Sequence, residues 1–207
     1  MLDGKMRKII DGPLNAAGVQ LAKTGISANG VTFAGAVIGL VAAAAIALSS
    51  LHLAIWLILI SRIADGLDGA VARATRKTDF GGYYDIVADF LFYGAIPMAF
   101  VVLDPTTNGI AGAVLLLSFY FNGGTFLGYA ILAEKHELST QQRGSKSLYF
   151  STGLLEGTET IAFFVILCVW PQHFSLLAYL FAAGCFYTAF ARVWLAYQQF
   201  GSFVTKD

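Results

Sequence analysis

The sequence predicts an all-α integral membrane protein, with six transmembrane helices preceded by an N-terminal interfacial amphipathic helix and both termini cytoplasmic. Three observations lead there. The 207 residues are 57% hydrophobic and only 13% charged, with a mean hydropathy of +0.68, whereas soluble domains carry about 25% charged residues. Apolar segments recur along the chain at the roughly 20-residue length that a bilayer crossing needs. The cations gather in alternate connections between those segments, as the positive-inside rule requires.

The first element is amphipathic. Met6, Ile9, Ile10, Leu14, Ala17 and Leu21 recur at helical spacing opposite Lys5, Arg7, Lys8 and Lys23, the pattern of a helix lying in the interface plane. Pro13 is expected to bend it or to start a second piece. Its cations suffice as a topological anchor, and no catalytic part is assigned to it. No compact apolar core with a cleavage site opens the chain, so a secretory signal is not expected.

Val31–Ser50 is the clearest span, uncharged throughout, and five more follow at about Leu51–Arg73, Gly81–Leu103, Ile110–Ala133, Tyr149–Trp170 and Phe174–Tyr197. Gly35 and Gly39 in the first span form a small-xxx-small pair that allows close helix approach. The orientation follows from the cations. Lys5 to Lys23, then Arg73, Arg76 and Lys77, then Lys135, Arg143 and Lys146, and finally Lys206 all fall on one side, while the intervening connections near Ser49–His52, Asp104–Gly109 and Pro171–His173 carry no Lys or Arg.

Thirteen Lys and Arg balance thirteen Asp and Glu, which removes net charge as an argument for a nucleic-acid partner. Cys168 and Cys185 sit in apolar runs without CxxC spacing, so packing is a simpler role for them than a disulfide or a zinc site.

Four carboxylates at membrane depth, Asp65, Asp68, Asp85 and Asp89, are the sharpest anomaly, because an acid inside a span is costly and marks function by default. Separations of three, four and seven put Asp65, Asp68, Gly69 and Ala72 on one helical face, and Gly81, Asp85 and Asp89 share another. At about 1.5 Å per residue, Asp65 lies roughly 21 Å below the outer surface of a core about 30 Å thick. Asp85 and Asp89, counted from the other end of their helix, lie roughly 9 and 15 Å deep. All four are thus expected to meet just inside the cytoplasmic leaflet. Like charges so close need protonation or bound cations, and an all-oxygen donor set suits Mg²⁺ or Mn²⁺. Two such ions about 4 Å apart form the clamp used in phosphoryl transfer. Arg73, Arg76 and Lys77 add an anion-binding rim, with Arg73 suited to bidentate phosphate contact.

At these residues the chain resembles the CDP-alcohol phosphotransferases, whose signature D-x-x-D-G-x-x-A-R, spacer, G-x-x-x-D-x-x-x-D is matched by Asp65, Asp68, Gly69, Ala72, Arg73, Gly81, Asp85 and Asp89. The resemblance implies that Asp65, Asp68 and Asp85 hold two divalent cations and that Asp89 contacts metal and acts as general base. It implies that Gly69 and Ala72 let the cytidine approach and that Arg73 holds the pyrophosphate. Asn29-Gly30-Val31-Thr32 resembles the family's P-N-x-x-T motif at the nucleotide site, and Thr78 matches a further position that contacts the CDP group. The spacer from Arg73 to Gly81 is seven residues where many members have eight, and Ala28 stands where a proline is common.

On this resemblance, residues 1–28 form the interfacial segment and 29–207 a six-helix catalytic domain, in a bacterial inner membrane, with homodimers as in relatives. The implied reaction transfers a phosphatidyl group from CDP-diacylglycerol to a small polar alcohol and releases CMP. Two alternatives stand beside it: the same fold acting on a soluble CDP-alcohol with a lipid acceptor, and a divalent-cation or proton-coupled transporter. The acceptor is open. Glu156 and Glu159 either line its pocket or face water, and Arg143 and Lys146 suit an acceptor phosphate. Arg62 is expected to pair with Asp65, Arg192 to snorkel toward the interface, and Asn122 to make an interhelical hydrogen bond.

Overall fold

The computed structural model describes residues 3–136 and 157–201. Among them are seven α-helices, one short 3₁₀ turn and no strand: α1 Asp3–Lys23, α2 Ala28–Ala47, α3 Leu51–Ala74, α4 Asp79–Leu103, α5 Pro105–Lys135, α6 Gly157–Val169, the turn Pro171–His173, and α7 Phe174–Phe200. Arg143, Lys146, Glu156 and Lys206 lie outside the described residues.

Local chemistry sets the boundaries. The Ser27 hydroxyl accepts the backbone N–H of Gly30 at 3.1 Å and caps α2, and the Thr78 hydroxyl accepts that of Gly81 at 3.0 Å and caps α4. Each satisfies one of the donors that a helix start leaves over. Asp104 caps α5 through the Thr107 N–H, with Pro105 in the first turn, where a missing N–H costs nothing. That hydrogen bond holds the exposed Asp104 carboxyl below the usual carboxylate range. Gly25, at φ +82°, ends α1, as a residue without Cβ can do freely.

α1 runs as one helix through Pro13, so no second piece starts there. α5 begins at Pro105, several residues before the expected span start at Ile110, because Pro105 and the Asp104 cap extend it. Among the described residues, four segments, α2, α4, α5 and Pro171–Phe200, are long and apolar enough to cross a membrane. α3 has the length, at 24 residues, but carries Arg62, Asp65, Asp68 and Arg73.

α2 packs on α3 and α4, α4 on α5, α5 on α7, and α6 on α3, while α1 lies against α3. One apolar core joins α2 through α7, built around Ile46, Ile58, Phe92, Phe100, Phe164 and Leu167. Lipid tails are as apolar as leucine, so close packing has to supply the helix association. The glycine pair supplies it here. A Cβ on Gly35 would lie 3.1 Å from Ala64 Cβ, and one on Gly39 would lie 2.7 Å from the Phe92 ring. Ser61 donates to the Gly35 carbonyl at 2.8 Å across the same contact. Cys168 and Cys185 are buried free thiols. Large apolar side chains such as Trp56, Ile110, Tyr120 and Leu180 point outward, in the manner of a surface solvated by lipid.

Candidate metal and nucleotide site

α3 and α4 present their acidic stripes to each other. One oxygen each from Asp65, Asp68 and Asp85 falls within 4.8 Å of the others, and Asp68 is 5% exposed. The donor set consists of carboxylate oxygens from two helices in a partly buried cleft, which fits a hard divalent cation. α2 contributes from the third side. Thr32 donates its hydroxyl to Asp68 Oδ2 at 2.5 Å, with the Ala28 carbonyl a second acceptor at 3.1 Å.

Asp89 lies beside Asp65 and is also held by a cation. Arg62 Nη1 donates to Asp89 Oδ1 at 2.5 Å and lies 3.5 Å from Asp65 Oδ1. Arg62 pairs with Asp65 as expected and holds Asp89 at the shorter distance. Its guanidinium lies 3.8 Å from the centre of the Phe92 ring, Nη2 reaches Ser61 Oγ at 3.2 Å, and Nε is buried without a partner. Phe92 and Ser61 themselves pack against Gly39. All four acids therefore gather at one place, with Arg62 between Asp65 and Asp89.

The residues expected to meet a nucleotide fall at the α2, α3 and α4 ends. A Cβ on Gly81 would sit 3.2 Å from Asn29 Oδ1 and 2.9 Å from Thr78 Oγ1, so Asn29, Thr78 and Gly81 share one corner. The Thr78 hydroxyl already serves as the α4 cap. Arg73 folds back along α3, its Nη1 3.2 Å from where a Gly69 Cβ would be. Ala72 is half-buried on the same helix. Arg73 Nε and Nη2 both donate to Asn15 Oδ1 on α1, at 3.1 and 2.9 Å. The sequence reading missed Asn15 altogether, since an asparagine on the polar side of an amphipathic helix carries no local signal of a partner 58 positions away.

The Arg192 side chain is tied to a neighbouring helix: Nη1 reaches the Asn122 carbonyl at 2.9 Å, Asn122 Oδ1 at 2.9 Å and Thr125 Oγ1 at 2.8 Å on α5. In hydrocarbon a guanidinium needs acceptors, and α5 supplies these three. Asn122 makes the interhelical bond foreseen for it, with Arg192 as the donor. Arg192 lines a groove of about 410 Å³ with Thr125, Gly128, Tyr129, Val193 and Ala196, separate from the carboxylates. Glu159 lies half-buried in the first turn of α6.

Known proteins resemble this chain. The chain is 42% identical over 197 residues to the inner membrane protein YnjF of Escherichia coli, spanning 95% of this chain and 96% of that one. It is 39% identical over 88 residues to the archaetidylinositol phosphate synthase of Pyrococcus horikoshii, 42% of this chain and 47% of that one. The fold superposes with a TM-score of 0.64 on the phosphatidylinositol phosphate synthase of Mycobacterium tuberculosis, solved with CDP-DAG bound, at 18% identity over 89% of this chain and 93% of that one. Residues 26–190, which hold the carboxylate cluster, Arg62, Arg73 and the Asn29 corner, match the CDP-alcohol phosphatidyltransferase family. With its signature acids gathered between two helices of a membrane-protein fold, the chain belongs to the CDP-alcohol phosphatidyltransferase family.

Proposed function

We propose that this protein transfers a phosphatidyl group from CDP-diacylglycerol to the hydroxyl of a small polar alcohol, releasing CMP. The observation that carries it is the oxygen cluster of Asp65, Asp68 and Asp85 between α3 and α4, in a chain of this family. Asp65, Asp68, Asp85 and Asp89 would hold two divalent cations, Mg²⁺ or Mn²⁺, which when bound neutralise charge on the phosphate oxygens.

The chain's own residues then do the following. Asp89, one carboxylate oxygen of which is engaged by Arg62, takes the proton of the acceptor hydroxyl through the other. The hydroxyl oxygen bonds to the phosphorus next to diacylglycerol, the phosphorus–oxygen bond to CMP breaks, and CMP leaves with the electron pair. Arg73 holds the diphosphate, and Asn29, Thr32, Gly69, Ala72, Thr78 and Gly81 shape the cytidine site.

In this scheme α3 and the segment ending in α6 also cross the bilayer, which makes six spans with both termini cytoplasmic. Residues 1–28 lie in the interface and 29–207 form the catalytic domain. The cation distribution supports a site near the cytoplasmic face, where the nucleotide stays in water and the acyl chains in lipid. The name of the Escherichia coli relative supports a bacterial inner membrane. Two copies associate as a homodimer, which light scattering of the detergent complex tests.

The experiment is CMP release by the purified protein with CDP-diacylglycerol, Mg²⁺ or Mn²⁺ and a panel of acceptors: glycerol phosphate, inositol phosphate, inositol, serine and choline. Metal-dependent and acceptor-dependent release is expected. Release only with a soluble CDP-alcohol and a lipid acceptor would replace this donor assignment with its alternative, and no turnover with either donor would return ion transport to consideration.

A further inference from the structure

Helix α1 reaches Arg73 at the end of α3. Asn15 Oδ1 accepts from both Nε and Nη2 of Arg73, the two donors on one edge of a planar fork that carries five N–H groups. The opposite side of the guanidinium, at Nη1, lies over Gly69, where no side chain intervenes. Gly69 is next to Asp68 of the oxygen cluster. One edge of Arg73 is thus fixed and the other is presented above a bare stretch of α3.

Two contacts, one turn apart on each helix, hold α1 where Asn15 can do this. A Cβ on Gly18 would lie 2.5 Å from Ala70 Cβ, and one on Gly66 would lie 2.8 Å from Leu14 Cδ1. Leu14, Asn15 and Gly18 therefore form a face of α1 that meets Gly66, Ala70 and Arg73 of α3. A helix that served only as a membrane anchor has no need of glycines matched to a second helix, nor of a polar side chain spent on Arg73.

We infer that Asn15 is a positioning residue for Arg73: it orients the guanidinium so that the remaining N–H donors meet the diphosphate of a CDP-linked donor above Gly69. α1 is thereby part of the donor site as well as an anchor. This rests on the transferase function proposed above.

The test uses the full chain in detergent with Mg²⁺, measuring binding of CDP-diacylglycerol and of free CDP to the unaltered protein and to Asn15→Ala, Asn15→Asp, Arg73→Ala and the Asn15→Ala/Arg73→Ala double variant. Asn15 is exposed, so the single variants are expected to melt with the unaltered protein, and melting curves check this. Arg73→Ala and Asn15→Ala should each weaken binding about tenfold, the size of one charge-assisted hydrogen bond. The double variant should bind no more weakly than Arg73→Ala, and Asn15→Asp, which keeps an acceptor oxygen, should restore most of the affinity. In turnover, Asn15→Ala should raise KM for the donor and leave kcat nearly unchanged.

Weakened binding in Arg73→Ala with none in Asn15→Ala would overturn the positioning role and leave the transferase function standing. Losses that add in the double variant would overturn it too, since Asn15 would then act on its own account. If the unaltered protein binds neither probe, the transferase function and this role fall together.

Discussion

Arg62 bridges two acidic stripes: its Nη1 holds Asp89 of α4 while remaining 3.5 Å from Asp65 of its own helix. This cation, with 9% of its side chain exposed, lies between two of the four carboxylates. Removing one member of a buried pair leaves the other uncompensated, at a cost of about 3–5 kcal/mol. Arg62→Met should therefore lower the detergent melting temperature by many degrees without divalent cation, and Arg62→Lys by much less. Equal melting of Arg62→Met and the unaltered protein would show that the pair carries no net stability.

Mg²⁺ or Mn²⁺ should raise the melting temperature of the unaltered protein, because a ligand at about 100 times its Kd stabilises the folded state by about 2.7 kcal/mol. Asp68→Asn and Asp85→Asn each remove a charged oxygen from the cluster and should abolish most of that shift, as chelator should. A shift that survives both substitutions would place the cation elsewhere.

Thr32→Val keeps the shape of the side chain but withdraws the hydroxyl that orients Asp68 Oδ2. Groups that orient metal ligands are worth about 10- to 100-fold in metal affinity. The expected outcome is a metal-activation curve displaced to higher concentration by that factor, with the maximal rate largely recovered at saturation; an unmoved curve would count against Thr32 as an orienting group.

Gly39→Leu should drive α2 away from Phe92, where even a Cβ would approach to 2.7 Å. Overpacking of this kind costs about 1–3 kcal/mol, and here it disturbs the ring under Arg62 as well. Thermal melting measures the first effect. A drop in activity larger than the stability loss explains would report the second, whereas Gly82→Ala, at a glycine with open space around it, should do neither.

Arg192→Met strips α5 of the donor shared by Asn122 and Thr125. Polar contacts between membrane helices average about 0.6 kcal/mol, so a loss of roughly 1–2 kcal/mol in melting experiments is expected. A stabilised variant would mean that Arg192 costs more in desolvation than its contacts return, as a residue kept for binding would.

By itself the sequence determined the helices and their chemistry, because those are set by neighbours a few positions apart. Twenty uncharged residues make Val31–Ser50 apolar enough to cross a bilayer, and spacings of three and four place Asp65 beside Asp68 and Asp85 beside Asp89. What those stripes face is a different matter. In a bilayer the apolar surface of a helix is satisfied by lipid as well as by protein, so hydropathy does not say which faces meet; close approach at Gly18, Gly35 and Gly39 and the demand of each internal polar group for a partner do. Only the tertiary structure therefore decided that Arg62 is drawn to Asp89, that Arg192 turns inward to Asn122, that Thr32 reaches Asp68, and that Asn15 of α1 holds Arg73.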